Sequence, residues 1–157
     1  MIPKPIDPHS TTTAIWSGDP AIDQAGVKEF ANTKEVHDFF SNPSRWKERY
    51  PLNDGVQPTI FVIGVIPATR LNELEDLYGS LDSRTNRRLY WECFVESLRD
   101  VLNVPHGKVP TKQRRGIAYV DPEWITETFD GPLRLIAHEM GLAAYRWNNG
   151  QELDLKN

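Results

Sequence analysis

The residue types that most often carry out chemistry occur in this chain singly or in incomplete patterns. His138 and Glu139 are adjacent, but a zinc protease motif needs a second histidine four residues after the first, and that position is Leu142. The other three histidines are scattered along the chain and lack the spacing of metal ligands. The sequence therefore predicts no metal site.

The single cysteine, Cys93, lies inside a predicted helix, next to its apolar stripe. A reactive thiolate needs a basic neighbour or a helix N-terminus, and neither is evident at this position. We therefore expect Cys93 to be a partly buried structural residue. A lone cysteine also excludes a disulfide within the chain, which favours the cytoplasm as the site of synthesis.

No other pattern predicts a catalytic or cofactor-binding residue. Glu73, Glu75 and Asp76 fall on the polar face of a predicted amphipathic helix, where solubility explains them best. Gly107 and Lys108 lack the upstream glycine and the following serine or threonine of a phosphate-binding loop. The sequence predicts a non-enzymatic protein that has no cofactor.

A predicted loop over residues 103–116 carries basic side chains and no acidic residue. Its candidate partner-binding residues are Lys108, Lys112, Arg114 and Arg115. One interpretation is a solvated loop whose charge aids solubility; the other is a surface that docks an acidic or phosphate-bearing partner. The net charge of −4 and the lack of interleaved aromatic residues argue against general nucleic-acid binding.

The first 28 residues are rich in proline and show no helical period, which predicts an extended N-terminal arm. Ile15 and Trp16 are its candidate partner-binding residues, because an indifferent linker rarely carries large apolar groups. The arm could dock on its own domain or on a neighbouring subunit, for example as a strand added to a sheet edge. On the second alternative, deleting residues 1–28 leaves a folded domain that cannot assemble.

Residues 59–66 form the most apolar stretch and predict the strand around which the domain is built. The run is unbroken, so both faces of this strand should be covered. Residues 116–120 are the predicted partner strand. Trp91, Phe94 and Leu98 are expected to pack against Phe61 and Ile63.

Apolar spacing and capping residues predict most of the chain outside these strands to be helical. The predicted helices cover residues 33–40, one further turn within 44–50, and residues 69–78, 85–102, 122–129 and 133–147. Asn148, Asn149 and Gly150 are predicted to end the last helix and begin a polar tail.

At 157 residues the chain predicts one domain with a substantial core. No apolar run approaches the about 20 residues of a transmembrane helix, and the N-terminus lacks the apolar region of a secretory signal. We expect no membrane partner.

The order of these parts resembles small morphogenesis proteins of tailed bacteriophages, of the tail assembly chaperone or head–tail accessory type. The resemblance is carried by residues 19–23, 58–61, 69–78 and 120–122, and by a closing helix through Ile136 and Glu139. It implies a non-enzymatic role in virion assembly, with other virion or assembly proteins and copies of the chain itself as partners. It also implies that the protein is located in the host cytoplasm during assembly, and in the virion if it is a permanent component.

The sequence thus predicts an α+β fold, mainly helical, with a two- or three-stranded sheet. The predicted divisions are an extended arm over residues 1–28, one compact domain over 29–150 and a polar tail over 151–157. A phage structural or assembly protein is the favoured function. The alternative is a cytoplasmic binding module or regulator that docks its partner through residues 106–115.

Overall fold

The structure is a computed structural model that describes residues 7–27, 45–79, 86–105 and 107–156, with side chains up to residue 149. The helix predicted over residues 33–40 lies outside the described residues. The described part has an α+β fold in which helices outweigh strands, as the sequence predicted.

The central sheet has three antiparallel strands in the order β1 (Thr11–Ile15), β2 (Ile60–Gly64) and β3 (Leu98–Leu102). β1 runs from Thr11 opposite Gly64 to Ile15 opposite Ile60, without a register shift. The strand predicted within residues 59–66 is therefore central. Both of its hydrogen-bonding edges are satisfied by segments of its own chain.

A second, two-stranded sheet is a hairpin of β4 (Thr111–Arg114) and β5 (Ile117–Val120). Its two-residue turn, Arg115 and Gly116, has positive φ angles of 51° and 77°. Such a turn matches the right-handed twist of the flanking strands. The strand predicted at 116–120 thus exists, but its predicted pairing with 59–66 was wrong, because β4 supplies its partner.

Five α-helices lie in the described residues, in addition to a short 3-10 helix over Gln24–Gly26. They are α1 (Trp46–Arg49), α2 (Ala68–Tyr78), α3 (Asn86–Ser97), α4 (Pro122–Phe129) and α5 (Arg134–Lys156). Asp121 caps α4 by accepting a hydrogen bond from the backbone N–H of Glu123 at 3.0 Å, and Pro122 occupies the first turn. Among the described residues, no helix is both long enough and apolar enough to cross a membrane.

The helix predicted over residues 85–102 ends at Ser97, and β3 begins at the next residue. The register of β3 against β2 skips Arg99, which is a β-bulge. The bulge places Leu98 and Val101 in the same core cluster, although residues three apart in a regular strand face opposite sides. The spacing of three residues between Leu98 and Val101, which is typical of a helix, is therefore produced here by a bulged strand.

The main core lies between one face of the sheet and helices α3, α4 and α5. Phe61, Phe94 and Phe129 form its centre, with ring centroids 5.2 to 6.1 Å apart. Trp91, Phe94 and Leu98 share this cluster with Phe61 and Ile63, as the sequence predicted. α3 and α5 approach so closely that a Cβ at Gly141 would overlap the backbone carbonyl of Tyr90.

The opposite face of the sheet is covered by a smaller apolar cluster that includes Ile15, Ile22, Trp46 and Tyr50. The indole N–H of Trp46 donates to the hydroxyl of Thr13 at 3.1 Å. Both faces of β2 therefore meet apolar groups, as its unbroken apolar run predicted.

Residues 11–27 are packed with the rest of the domain, which is the first of the two alternatives predicted for the arm. Residues 11–15 are extended, but they pair with the chain's own β2. Buried Asp19 accepts hydrogen bonds from the backbone N–H groups of Ala21 at 2.8 Å and Thr59 at 3.0 Å. The N-terminal segment docks in cis, and the edge proposed to receive a strand from another copy is occupied by β1.

The last helix continues through Asn148 and Asn149 to Lys156, so its predicted end at these two residues was wrong. The amide of Asn148 is buried. It accepts from the N–H of Ile66 at 2.8 Å and donates to the carbonyl of Ala144 at 2.9 Å. The bond from Ile66, together with a bond from the amide of Asn148 to the carbonyl of Gly64 at 3.4 Å, ties the helix to the end of β2. An asparagine that is typical of a helix end therefore lies buried inside the helix and joins it to the sheet.

Candidate partner-binding site

An apolar cavity of about 480 Å³ opens to the surface where the N-terminal segment meets α4 and the start of α5. Trp16, Phe61, Trp124 and Phe129 form aromatic parts of its wall. Leu133 lies at its rim and is 44% exposed. Its volume falls within the range of ligand- and side-chain-binding pockets.

The indole of Trp16 is positioned by a tight turn of the N-terminal segment. The N–H of Asp19 donates to the carbonyl of Trp16 at 3.0 Å, which folds the chain back over the ring. A Cβ at Gly18 would lie 2.6 Å from the indole Cζ2 atom, so only glycine leaves the ring in place. Trp16 is half-buried against the main core and lines the cavity, so it lies at the surface where the sequence predicted a contact residue.

Ile15 has the opposite location. Its side chain is 4% exposed and packs in the smaller cluster with Ile22 and Trp46. Ile15 is the last residue of β1 and Trp16 follows it directly, and neighbouring residues of an extended segment point to opposite sides. Trp16 therefore faces the cavity, and Ile15 faces the smaller cluster. Ile15 therefore serves the chain's own fold, contrary to its expected exposure to a partner.

Trp124 is the residue of the cavity wall that the sequence reasoning missed. It lies on α4, partly buried, with its ring centroid 5.9 Å from that of Phe129 in an edge-to-face arrangement. Its place beside the apolar positions of α4 was a usable signal, because a large aromatic residue at the margin of a short amphipathic helix can extend apolar surface beyond the core.

The candidate basic residues of the predicted loop lie at separate places on the surface of the structure. Lys108 lies at the apolar cavity, is exposed, and forms no ion pair with any described residue. Lys112 pairs with Asp121, its ammonium 3.7 Å from the carboxylate. The two arginines, Arg114 and Arg115, line a different cleft on the hairpin. The four predicted contact residues therefore do not form one patch.

Cys93 and His138, two of the residues considered for catalysis or metal binding, have surroundings that favour their neutral forms. Burial raises the pKa of the Cys93 thiol to about 12, aided by the nearby carboxylates of Glu75 and Glu96. Burial, together with the charges of Arg134 and Arg87, lowers the pKa of His138 and favours its neutral form.

Glu139 accepts hydrogen bonds from both the backbone N–H and the hydroxyl of Ser17. Within the described ranges, no three histidine, cysteine, aspartate or glutamate side chains are grouped as metal ligands would be. Comparison of the chain with protein-family models, curated proteins and solved structures gave no match.

Proposed function

We propose that this chain is a non-enzymatic structural or assembly protein that works by protein–protein contact in the building of a tailed-phage virion. The observation that carries the contact role is the surface-open cavity between Trp16 and Trp124, with exposed Leu133 at its rim. Aromatic anchors around a pocket are typical of the energetic centres of protein interfaces. The virion context is supported by the resemblance in the order of sequence elements.

The occupant that fits the cavity is a large apolar side chain of a partner protein, next to an acidic residue. Small-molecule sites usually carry several polar groups that converge on the ligand. Here both carboxylate oxygens of Asp19 already accept backbone hydrogen bonds. Lys108 then remains as an exposed cation at the wall, suited to a carboxylate beside the apolar group.

Virion or assembly proteins, including further copies of this chain, are the proposed partners. The host cytoplasm is the proposed place of assembly. Size-exclusion chromatography with light scattering, on the chain alone and mixed with purified products of neighbouring genes, tests the proposal. A stable complex with a capsid, portal or tail protein is expected. If the chain forms no complex with any of these products or with itself, the proposal is wrong.

A further inference from the structure

A second concavity, separate from the apolar cavity, lies between the β4–β5 hairpin and the start of α2, and has a volume of about 520 Å³. Arg70, Arg114 and Arg115 contribute cations to its wall, and Glu96 contributes an anion. No part of the role proposed for the Trp16 cavity uses these residues.

The positive charge of this cleft is only partly neutralised. Arg70 is occupied, since its guanidinium lies 3.1 Å from the carboxylates of both Glu73 and Glu96. Arg114 and Arg115 form no ion pair with any residue that the structure describes. The cleft therefore presents two guanidinium groups without a carboxylate partner.

A third guanidinium lies behind these two. Arg99, the bulge residue of β3, is 6% exposed, and its guanidinium stacks 3.8 Å from the centroid of the Tyr119 ring. It donates to the backbone carbonyls of Val65 at 2.7 Å and Glu96 at 2.9 Å, which are neutral acceptors. Arg114 contacts the same ring at 5.3 Å. Burial is the largest cause that lowers the pKa of Arg99, and the nearby charge of Arg114 also lowers it, while Tyr119 and the carboxylate of Glu96 raise it.

We propose that this cleft binds the carboxylate side chains of an acidic segment in a partner protein. The planar fork of an arginine matches a carboxylate with two parallel hydrogen bonds, and two such forks lie together here. An anion would also relieve the repulsion between Arg99 and Arg114.

Nucleic acid fits the cleft less well than an acidic segment. A phosphate backbone needs a track of cations, whereas this wall includes Glu96, and Glu73 is in contact with Arg70. The Tyr119 ring is in contact with two guanidinium groups, which compete with a base for its face.

The test measures binding of a fluorescently labelled hexaglutamate peptide with blocked termini by anisotropy, at low and at physiological ionic strength. The test variant carries Arg114→Gln and Arg115→Gln. The matched control carries Lys47→Gln and Lys112→Gln, which removes the same charge outside both the cleft and the Trp16 cavity. The test variant should bind about tenfold more weakly, because each charge-assisted hydrogen bond contributes measurable affinity. The control should stay within about threefold of the unaltered protein at physiological ionic strength, where long-range attraction is largely screened.

Equal losses in the two variants would show attraction to overall charge and would overturn the cleft as a site. Absence of peptide binding to the unaltered protein at low ionic strength would overturn it too. A thymidine oligonucleotide of equal charge is the competing probe. If the oligonucleotide binds more tightly than the peptide, and if its binding depends on Arg114 and Arg115, the cleft is a nucleic-acid site and the proposal is wrong. Circular dichroism verifies that both variants are folded, which is expected because all four side chains are exposed.

Discussion

Ser17 and Glu139, 122 residues apart in the chain, are joined by two hydrogen bonds to one carboxylate. The backbone N–H of Ser17 donates at 2.7 Å, and its hydroxyl donates to the other oxygen. The pair fastens the N-terminal segment to α5 directly beside Trp16. The position of the cavity wall therefore depends on a contact made by the last helix.

Replacing Glu139 by alanine should destabilise the fold by about 1.5–3 kcal/mol, because it leaves two donors of a partly buried serine without their charged acceptor. Glu139→Gln should cost less, since an amide oxygen still accepts. Urea unfolding measures both free energies. Glu127→Ala, on the exposed face of α4, is the control and should stay within about 0.5 kcal/mol of the unaltered protein. An equal effect of Glu127→Ala and Glu139→Ala would contradict the role of the pair.

The N-terminal segment itself should be required for folding, which reverses the expectation drawn from the sequence. Deleting residues 1–27 removes β1, exposes one edge of β2 and takes Ala14, Ile15 and Ile22 out of the core. We expect the truncated chain to lose its cooperative thermal transition, followed by circular dichroism. A truncated protein with the melting temperature of the full chain would show that the segment is dispensable for the fold.

For Gly141, the prediction concerns the sign of the change in the free energy of unfolding when alanine replaces the glycine. At an open helical position, glycine to alanine stabilises by about 0.5–1 kcal/mol. Here the added Cβ would overlap the carbonyl of Tyr90, so α3 and α5 must separate, and Gly141→Ala should destabilise by about 1–3 kcal/mol. Chemical denaturation measures the change. A more stable variant would mean that the two helices are farther apart than described.

Phe94 is fully buried at the centre of the aromatic cluster. Truncating it to alanine should cost about 3–5 kcal/mol, through lost burial and the cavity left behind. Differential scanning calorimetry should show a large fall in melting temperature. An unchanged transition would contradict the assignment of the core.

The thiol of Cys93 should be unreactive in the native state, because its pKa is raised from an ordinary value of 9.0 to about 12 by burial first and nearby carboxylates second. A raised native pKa stabilises the fold fully below pH 9.0, and that contribution is lost as the pH rises from 9.0 to about 12. A colorimetric thiol reagent should react slowly with native protein at neutral pH and rapidly in denaturant. Rapid reaction of the native protein would show that the thiol is accessible.

The amino-acid sequence alone was sufficient to predict those elements whose signals lie within a few neighbouring residues. The β2 strand follows from its apolar run, and α4 from Asp121 and Pro122 at its start. The core prediction around Phe94 held because the helical period is correct up to Ser97.

The pattern misled where tertiary contacts override local signals. The bulge at Arg99 reproduced a helical spacing between Leu98 and Val101. The turn at Arg115 and Gly116 lacks the asparagine or aspartate that usually marks a two-residue hairpin, so the sequence predicts a loop where β4 lies. Asn148 continues its helix because its amide has buried partners in β2, which no local rule could supply.

The candidate site was predictable only in part. Trp16 and Lys108 were identified singly, but their meeting at one cavity depends on β1 pairing with β2 and on the path of the loop after β3. Their separation from Arg114 and Arg115 depends on the hairpin, which was not foreseen.

The turn at Gly18 offers a further prediction about the cavity. Gly18→Ala should push the Trp16 ring out of position, since the new methyl group would meet its Cζ2 atom at 2.6 Å. The tryptophan signals in the near-ultraviolet circular dichroism spectrum should change, while the far-ultraviolet spectrum should not. An unchanged near-ultraviolet spectrum would show that the turn tolerates a side chain and does not fix the ring.

The central claim is that the cavity beside Trp16 receives a partner protein, and one affinity comparison tests it most directly. Leu133→Glu places a charge at the cavity rim, and Leu77→Glu places the same charge at an equally apolar, 67% exposed position on α2 that does not line the cavity. Titration calorimetry with the partner identified among neighbouring gene products measures both dissociation constants. The account predicts that Leu133→Glu weakens binding by at least about tenfold, a loss of about 1.4 kcal/mol, while Leu77→Glu binds like the unaltered protein. Equal affinities for all three proteins would contradict it.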